Sequence, residues 1–133
     1  MDGFQVWLDT SVLVAYLKGR GPSVPAVEKA AKECACYVTA ITVYELLFGI
    51  AHAKKEIGEQ TLLSTMVVLP LDDAAARRAA ALHAELIKRN QDIGVKDVLM
   101  AAVCLEHALP ILTTNEQHFS RVPGLEVITP ARF

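Results

Sequence analysis

Three acidic residues, Asp9, Glu45 and Asp97, stand where an α/β chain usually gathers its chemistry: just after a strand or in the first turns of the following helix. Asn115 and Glu116 follow a further apolar run. If these residues converge, their charges repel, since two carboxylates about 4 Å apart cost roughly 4 kcal/mol at an effective dielectric of 20. A divalent cation offsets that repulsion. Oxygen ligands with no His or Cys among them suit Mg2+ or Mn2+ rather than zinc. Such an ion keeps several bound waters, which is what hydrolysis of a phosphodiester requires.

Each acid also has an ordinary structural use. Thr42-Val43-Tyr44-Glu45 fits the S/T-x-x-E capping box, with Glu45 bonding back to the Thr42 amide. Asp97 could serve as a first-turn acid that favours the helix dipole. Asp9 could cap the helix beginning near Thr10 and Ser11. Against these readings, no Lys or Arg is placed to neutralise all three acids. Lys96 adjoins Asp97, but neighbouring residues on a helix point in different directions.

The elements that must position these side chains can be read from periodicity. Residues 4–8, 36–39, 66–69, 111–113 and 125–128 are short apolar runs expected as strands, the first covered on both faces because it does not alternate with polar residues. Helices are expected over residues 11–18, 24–34, 42–55 and 59–65, with a short turn over 116–119. Asp72 or Asp73 caps a longer helix to residue 88, with Ala75, Ala79, Leu82 and Leu86 on its apolar face. Residues 97–107 differ: the run from Val98 to Leu105 leaves no polar face, so that helix must be buried. Strands and helices in alternation make a parallel sheet with helices on both faces, and ligands then bind beyond the carboxyl ends of the strands.

Composition bounds the alternatives. The 133 residues read as one domain over 1–133, large enough for a core without disulfides. Mean hydropathy is +0.32, yet no apolar run approaches the roughly 20 residues of a bilayer span. The surplus apolar surface leads to an expectation of self-association and of no membrane partner. A net charge of -2 and a pI near 6.1 exclude a protein that holds nucleic acid by overall positive charge. Cys34, Cys36 and Cys104 are odd in number and follow no charged-then-apolar leader, so a cytoplasmic location is expected. Cys-x-Cys is a poor zinc signal.

Four segments resemble the PIN domain: Leu8 through Leu17, Thr42 through Gly49, Ile93 through Ala102, and Leu112 through Phe119. The similarity is strongest to its toxin branch, the VapC-type ribonucleases of toxin-antitoxin pairs. It runs in the family's motif order from Val6 to Val127. The resemblance implies a three-layer α/β/α sandwich around a parallel five-stranded sheet, a homodimer, a cognate antitoxin partner and Mg2+- or Mn2+-dependent cleavage of RNA. It carries the metal-binding, catalytic acids onto Asp9, Glu45 and Asp97 and the fourth metal position onto Asn115. Ser11 and Thr113 match supporting hydroxyl positions. The fourth position is often Asp in the family, so Asn115 bears on whether a second metal binds, with Glu116 or Asp92 as substitutes.

Bound cation would meet the scissile phosphate, leaving flanking nucleotides to Lys54, Lys55, Lys96, Arg121 or Arg132. Arg77, Arg78, Lys88 and Arg89 are expected on a solvated helix face, and His118 at the surface. Tyr16, Tyr44, Leu47 and Phe48 are expected in the core or a dimer interface, and Trp7 in packing. A haloacid dehalogenase-type phosphatase would place an acid where Ser11 stands, and a receiver would need an acidic pair and a late lysine. The competing reading from another class is a PIN-like interaction protein that is catalytically weak or inactive and mainly binds an antitoxin.

Overall fold

The computed structural model describes residues 4–133, so the first three residues of the expected domain lie outside the described part. Five strands, β1 (Gln5–Leu8), β2 (Ala35–Thr39), β3 (Val67–Leu69), β4 (Ile111–Leu112) and β5 (Val127–Ile128), pair in parallel in the order β3-β2-β1-β4-β5. The helices are α1 (Thr10–Leu17), α2 (Ser23–Glu33), α3 (Ala40–Ala53), α4 (Glu59–Leu63), α5 (Asp73–Lys88), α6 (Val95–Glu106) and α7 (Glu116–Phe119). A 3-10 turn over Pro130–Arg132 follows β5. The result is the three-layer α/β/α sandwich expected.

Alternation along the strands builds two cores, one on each face of the sheet. Val6, Leu8, Cys36, Val38 and Leu112 pack with Val12, Leu13, Val27 and Leu46. Trp7 and Ile111 point the other way, toward Leu86, Met100 and Phe119. Helix α6 fills that second layer, burying Val98 and the whole run Met100 to Cys104, as its lack of a polar face requires. Helix α5 covers it, burying Ala75, Ala79 and Leu86 and starting where the Asp72 carboxylate accepts the Ala75 N–H at 2.9 Å. Its Arg77 and the C-cap residue Arg89 pair outward with Asp73 and Glu85.

Several boundaries differ from the sequence expectation. Phe4 lies outside β1 and packs near the Phe133 ring. Strand β3 starts at Val67 rather than residue 66 and is the sheet edge, with Val67 and Val68 half exposed. Strands β4 and β5 shrink to two residues each, because only those positions have a neighbouring strand to pair with. Tyr44 and Phe48 are 59% and 54% exposed, which removes them from the core of this chain.

Helix α6 begins at Val95, two residues before Asp97, because Gly94 provides its N-cap at φ 91°, ψ 153°. That region of backbone space is essentially restricted to glycine. Gly94 N–H donates to the Asp92 carboxylate at 3.0 Å, and Gly94 C=O accepts the Val98 N–H at 3.0 Å. A Cβ there would meet no atom within 4 Å, so only backbone strain opposes a side chain. Gly94→Ala is therefore expected to destabilise the fold by about 1–3 kcal/mol in urea unfolding; an unchanged midpoint would show that the turn tolerates L residues.

Sheet order also fixes where side chains can meet. The chain runs outward from β1 to β2 and β3, then returns to lay β4 against the other side of β1. The carboxyl ends of β1 and β4 flank this reversal, the crevice where open parallel sheets bind ligands. Asp9 leaves β1 there, and Thr113 and Asn115 leave β4 beside it.

Candidate metal centre

Asp9 occupies the N-cap position of α1 with extended backbone, but its side chain makes no cap hydrogen bond. Its Oδ2 instead accepts from the Ser11 hydroxyl at 2.8 Å and the Thr113 hydroxyl at 2.7 Å. Both hydroxyls are aimed by the loop after β4. Thr114 N–H donates to Ser11 Oγ at 3.2 Å, and Asn115 N–H donates to Thr113 Oγ1 at 2.9 Å. A hydroxyl has a single proton, and in each case that proton is directed to Asp9.

Asp9 is 5% exposed. Burial pushes its carboxyl above the usual range; the two hydroxyls oppose that shift, and the charge of Asp97 adds to it. Asp97, 88 positions away in the chain, is felt electrostatically at Asp9.

Glu45 departs from its local reading. Thr39, the last residue of β2, is the N-cap of α3, and its hydroxyl accepts the Thr42 N–H at 3.2 Å. The helix therefore starts before Thr42, which rules out the Thr42–Glu45 capping box. Glu45 Oε1 accepts from Thr10 Oγ1 at 2.6 Å, and Lys96 Nζ approaches Glu45 Oε2 at 3.3 Å. Thr10 and Thr42 hydroxyls are themselves 3.0 Å apart, so α1 and α3 share one hydroxyl chain beneath Glu45.

Asp97 sits in the first turn of α6, and its Oδ2 accepts from His118 Nδ1 at 2.9 Å. A carboxylate can only accept, so Nδ1 carries the hydrogen. His118 is half-buried against this acid rather than at the open surface. Asn115 is the N-cap of α7 but uses no side-chain cap bond, which leaves its amide oxygen as a donor atom next to Thr113. Glu116 is exposed and pairs with Arg132 at 2.9 Å. Asp92 is turned to His83 at 2.9 Å and to the Gly94 amide, and these bonds hold its carboxyl below the usual range.

Among the described residues, no three His, Cys, Asp or Glu side chains are grouped so that they could hold an ion as they stand. Each acid is engaged by a hydroxyl, an ammonium or an imidazole. The donor set nonetheless suits a hard dication: carboxylate and amide oxygens, one carboxylate buried at the cost of its charge, and hydroxyls that fix its orientation. A cation at Asp9 and Asp97 would offset the lost solvation and the repulsion that raise the Asp9 carboxyl.

Sequence reasoning missed Lys96, His118 and Thr10 as partners of the acids. Lys96 reaches Glu45 across 51 positions of chain, so the neighbouring-residue argument, correct for Asp97, did not bear on it. The place of His118 three residues after Asn115 was the available signal.

The profile described as PIN domain matches residues 6–125. "Ribonuclease VapC" of Rickettsia bellii is 32% identical, over 92% of this chain and 93% of that protein. Among solved structures, VapBC2 from Rickettsia felis bound to a promoter DNA fragment superposes with a TM-score of 0.82 at 23% identity, covering 95% of this chain and 98% of that one. A toxin-antitoxin complex from Klebsiella pneumoniae gives 0.77 at 26% identity, covering 96% and 99%.

Proposed function

The chain belongs to the PIN domain family, and on that premise we propose that it is the VapC-type toxin of a toxin-antitoxin pair, an endoribonuclease that hydrolyses RNA phosphodiester bonds with Mg2+ or Mn2+. The observation that carries the metal assignment is the buried Asp9 carboxylate at the β1–β4 reversal, oriented by two hydroxyls and repelled by Asp97. Asp9 and Asp97 are the ligands of this reading, with Glu45 completing the set and Asn115 contributing a neutral oxygen. Ser11 and Thr113 keep Asp9 in place. Glu116, committed to Arg132, is left at the margin.

When bound, the dication supplies Lewis-acid polarisation of the phosphate and acidifies a water. The chain's own residues do the rest. Thr10 and Lys96 hold Glu45, and His118 holds Asp97, so that the acids face the substrate in fixed directions. A carboxylate of this set accepts the proton released as water adds to phosphorus; the P–O bond to one ribose breaks, and the leaving oxygen takes up a proton from solvent. Lys55, which lines a cavity of about 580 Å³ together with Glu45, Lys18 and Arg20, supplies positive charge for flanking phosphates.

A homodimer and a cognate antitoxin belong to the same reading. The exposed stack of Tyr44, Phe48 and His52 along α3, with Leu47 beside it, supports an interface there. The Klebsiella relative was solved as a toxin-antitoxin complex. No described helix is long and apolar enough to cross a membrane, and a cytoplasmic site of action fits the RNA substrate. The test is cleavage of single-stranded RNA by the purified chain in Mn2+, Mg2+ or EDTA. Cleavage in either metal and none in EDTA is expected. Equal cleavage in EDTA would overturn the metal dependence, and no cleavage in any condition would overturn the ribonuclease.

A further inference from the structure

The three acids of the centre do not meet cations equally. Among the described residues, no Lys or Arg pairs with Asp9 or Asp97, whereas Glu45 is already paired with Lys96 at 3.3 Å. The two partners are also unequally exposed: the Lys96 side chain is 59% exposed and that of Glu45 22%. The ammonium therefore stands at the outer lip of the centre, with donors to spare beyond the one aimed at Glu45.

Charge counting follows from this arrangement. Asp9, Glu45 and Asp97 carry three negative charges when ionised, and the fourth oxygen donor, Asn115, carries none. One dication and one ammonium balance that set. A second dication would have to displace the ammonium from Glu45, where Lys96 Nζ stands 3.3 Å from Oε2. Two-metal sites place their ions about 3.5–4 Å apart, so a second ion in this centre would compete with Lys96 for Glu45.

We infer that Lys96 takes the place of a second dication: the centre binds a single Mg2+ or Mn2+, and the Lys96 ammonium neutralises Glu45 and contacts a non-bridging oxygen of the RNA phosphate. This rests on the nuclease reading above. In the free protein Lys96 holds Glu45 in its half-buried position, and with RNA bound its remaining N–H donors meet the phosphate. It is a compact point charge on a flexible stem, suited to serving both anions.

Counting bound ions separates this from a two-metal centre. Mn2+ binding is measured by EPR of the free ion for the wild-type chain, Lys96→Met and Lys96→Arg, with kcat and KM for RNA cleavage measured in parallel. Wild type and Lys96→Arg should bind one Mn2+ per chain. Lys96→Met should bind a second, and its KM should rise about tenfold, the scale of one lost charge-assisted hydrogen bond, with Lys96→Arg restoring KM to near wild type. Two Mn2+ per wild-type chain with active cleavage would overturn the inference and leave the nuclease reading standing. A change in Lys96→Met of stoichiometry alone, of KM alone, or of neither would also overturn it. Wild type that neither binds Mn2+ nor cleaves RNA would overturn both.

Discussion

Asp9→Asn is expected to lower RNA cleavage about a thousandfold, on the scale of losing one preorganised charged group from an active site, while raising the melting temperature of the metal-free protein. The two effects have one origin. Asp9 is almost fully buried, and burial, reinforced by the Asp97 charge, raises its carboxyl above the ordinary value in the folded state. A group whose folded pKa is raised contributes stability that is fully present below its unfolded pKa, near 3.8, and is lost as pH rises through the folded value. At neutral pH in EDTA the ionised carboxylate is therefore a net burden. An amide oxygen at this position still accepts from Ser11 and Thr113 without the charge, so the variant should melt about 3 °C higher at pH 7, a shift on the order expected for about 1 kcal/mol in a domain of this size. The gain should vanish below pH 3.8. Added Mn2+ should reverse the order, because only the wild type gains stability by binding it. The measurement is thermal unfolding at pH 3.5 and 7, with EDTA and with Mn2+, beside the cleavage assay. A variant that retains more than about a tenth of wild-type cleavage, or that melts lower at pH 7 in EDTA, would refute the role given to Asp9.

The same residue shows how far the sequence could be read and where it stopped. Elements set by local pattern were legible: α6 by its unbroken apolar run, α5 by its cap and apolar face, α7 over the same four residues. Local pattern failed where two local patterns competed. Thr42-x-x-Glu45 satisfies one capping rule, but Thr39-x-x-Thr42 places a better cap one turn earlier, because the extended end of β2 turns directly into the helix. Spacing alone cannot rank the two, since the register of α3 against β2 decides. The acids themselves were legible because strand ends in a parallel sheet lie on one edge. Their partners were not: Thr113 to Asp9, Lys96 to Glu45 and His118 to Asp97 span 104, 51 and 21 positions, and such contacts are set by packing between elements. The edge exposure of β3 was hidden for the same reason, since strand order is a property of the whole sheet.

Phe119→Ala is expected to be the most damaging single truncation that touches no metal ligand. Helix α7 has four residues, too few to persist by its own hydrogen bonds. What holds it is the Phe119 ring, fully buried with Trp7, Val98, Ala101, Ile111 and Val122 beneath the sheet. Truncating a buried phenylalanine costs about 3–5 kcal/mol, a large share of the stability of a domain this size. The melting temperature should fall by about 10 °C. Function should suffer beyond that loss, because α7 carries His118 and starts from Asn115, and His118 is the donor to Asp97. With the ring removed, the short helix loses its anchor and Asp97 its fixed orientation. At 10 °C, where the variant remains folded by circular dichroism, cleavage per folded chain should still be about tenfold lower, the lower end of what losing a partner of a metal ligand costs. Phe119→Leu keeps most of the buried volume and should recover most of both quantities. If Phe119→Ala instead loses stability but cleaves RNA at the wild-type rate per folded chain, then the core under α7 does not position the Asp97 side of the centre. A melting temperature unchanged within about 3 °C would show that α7 is held by something other than this ring.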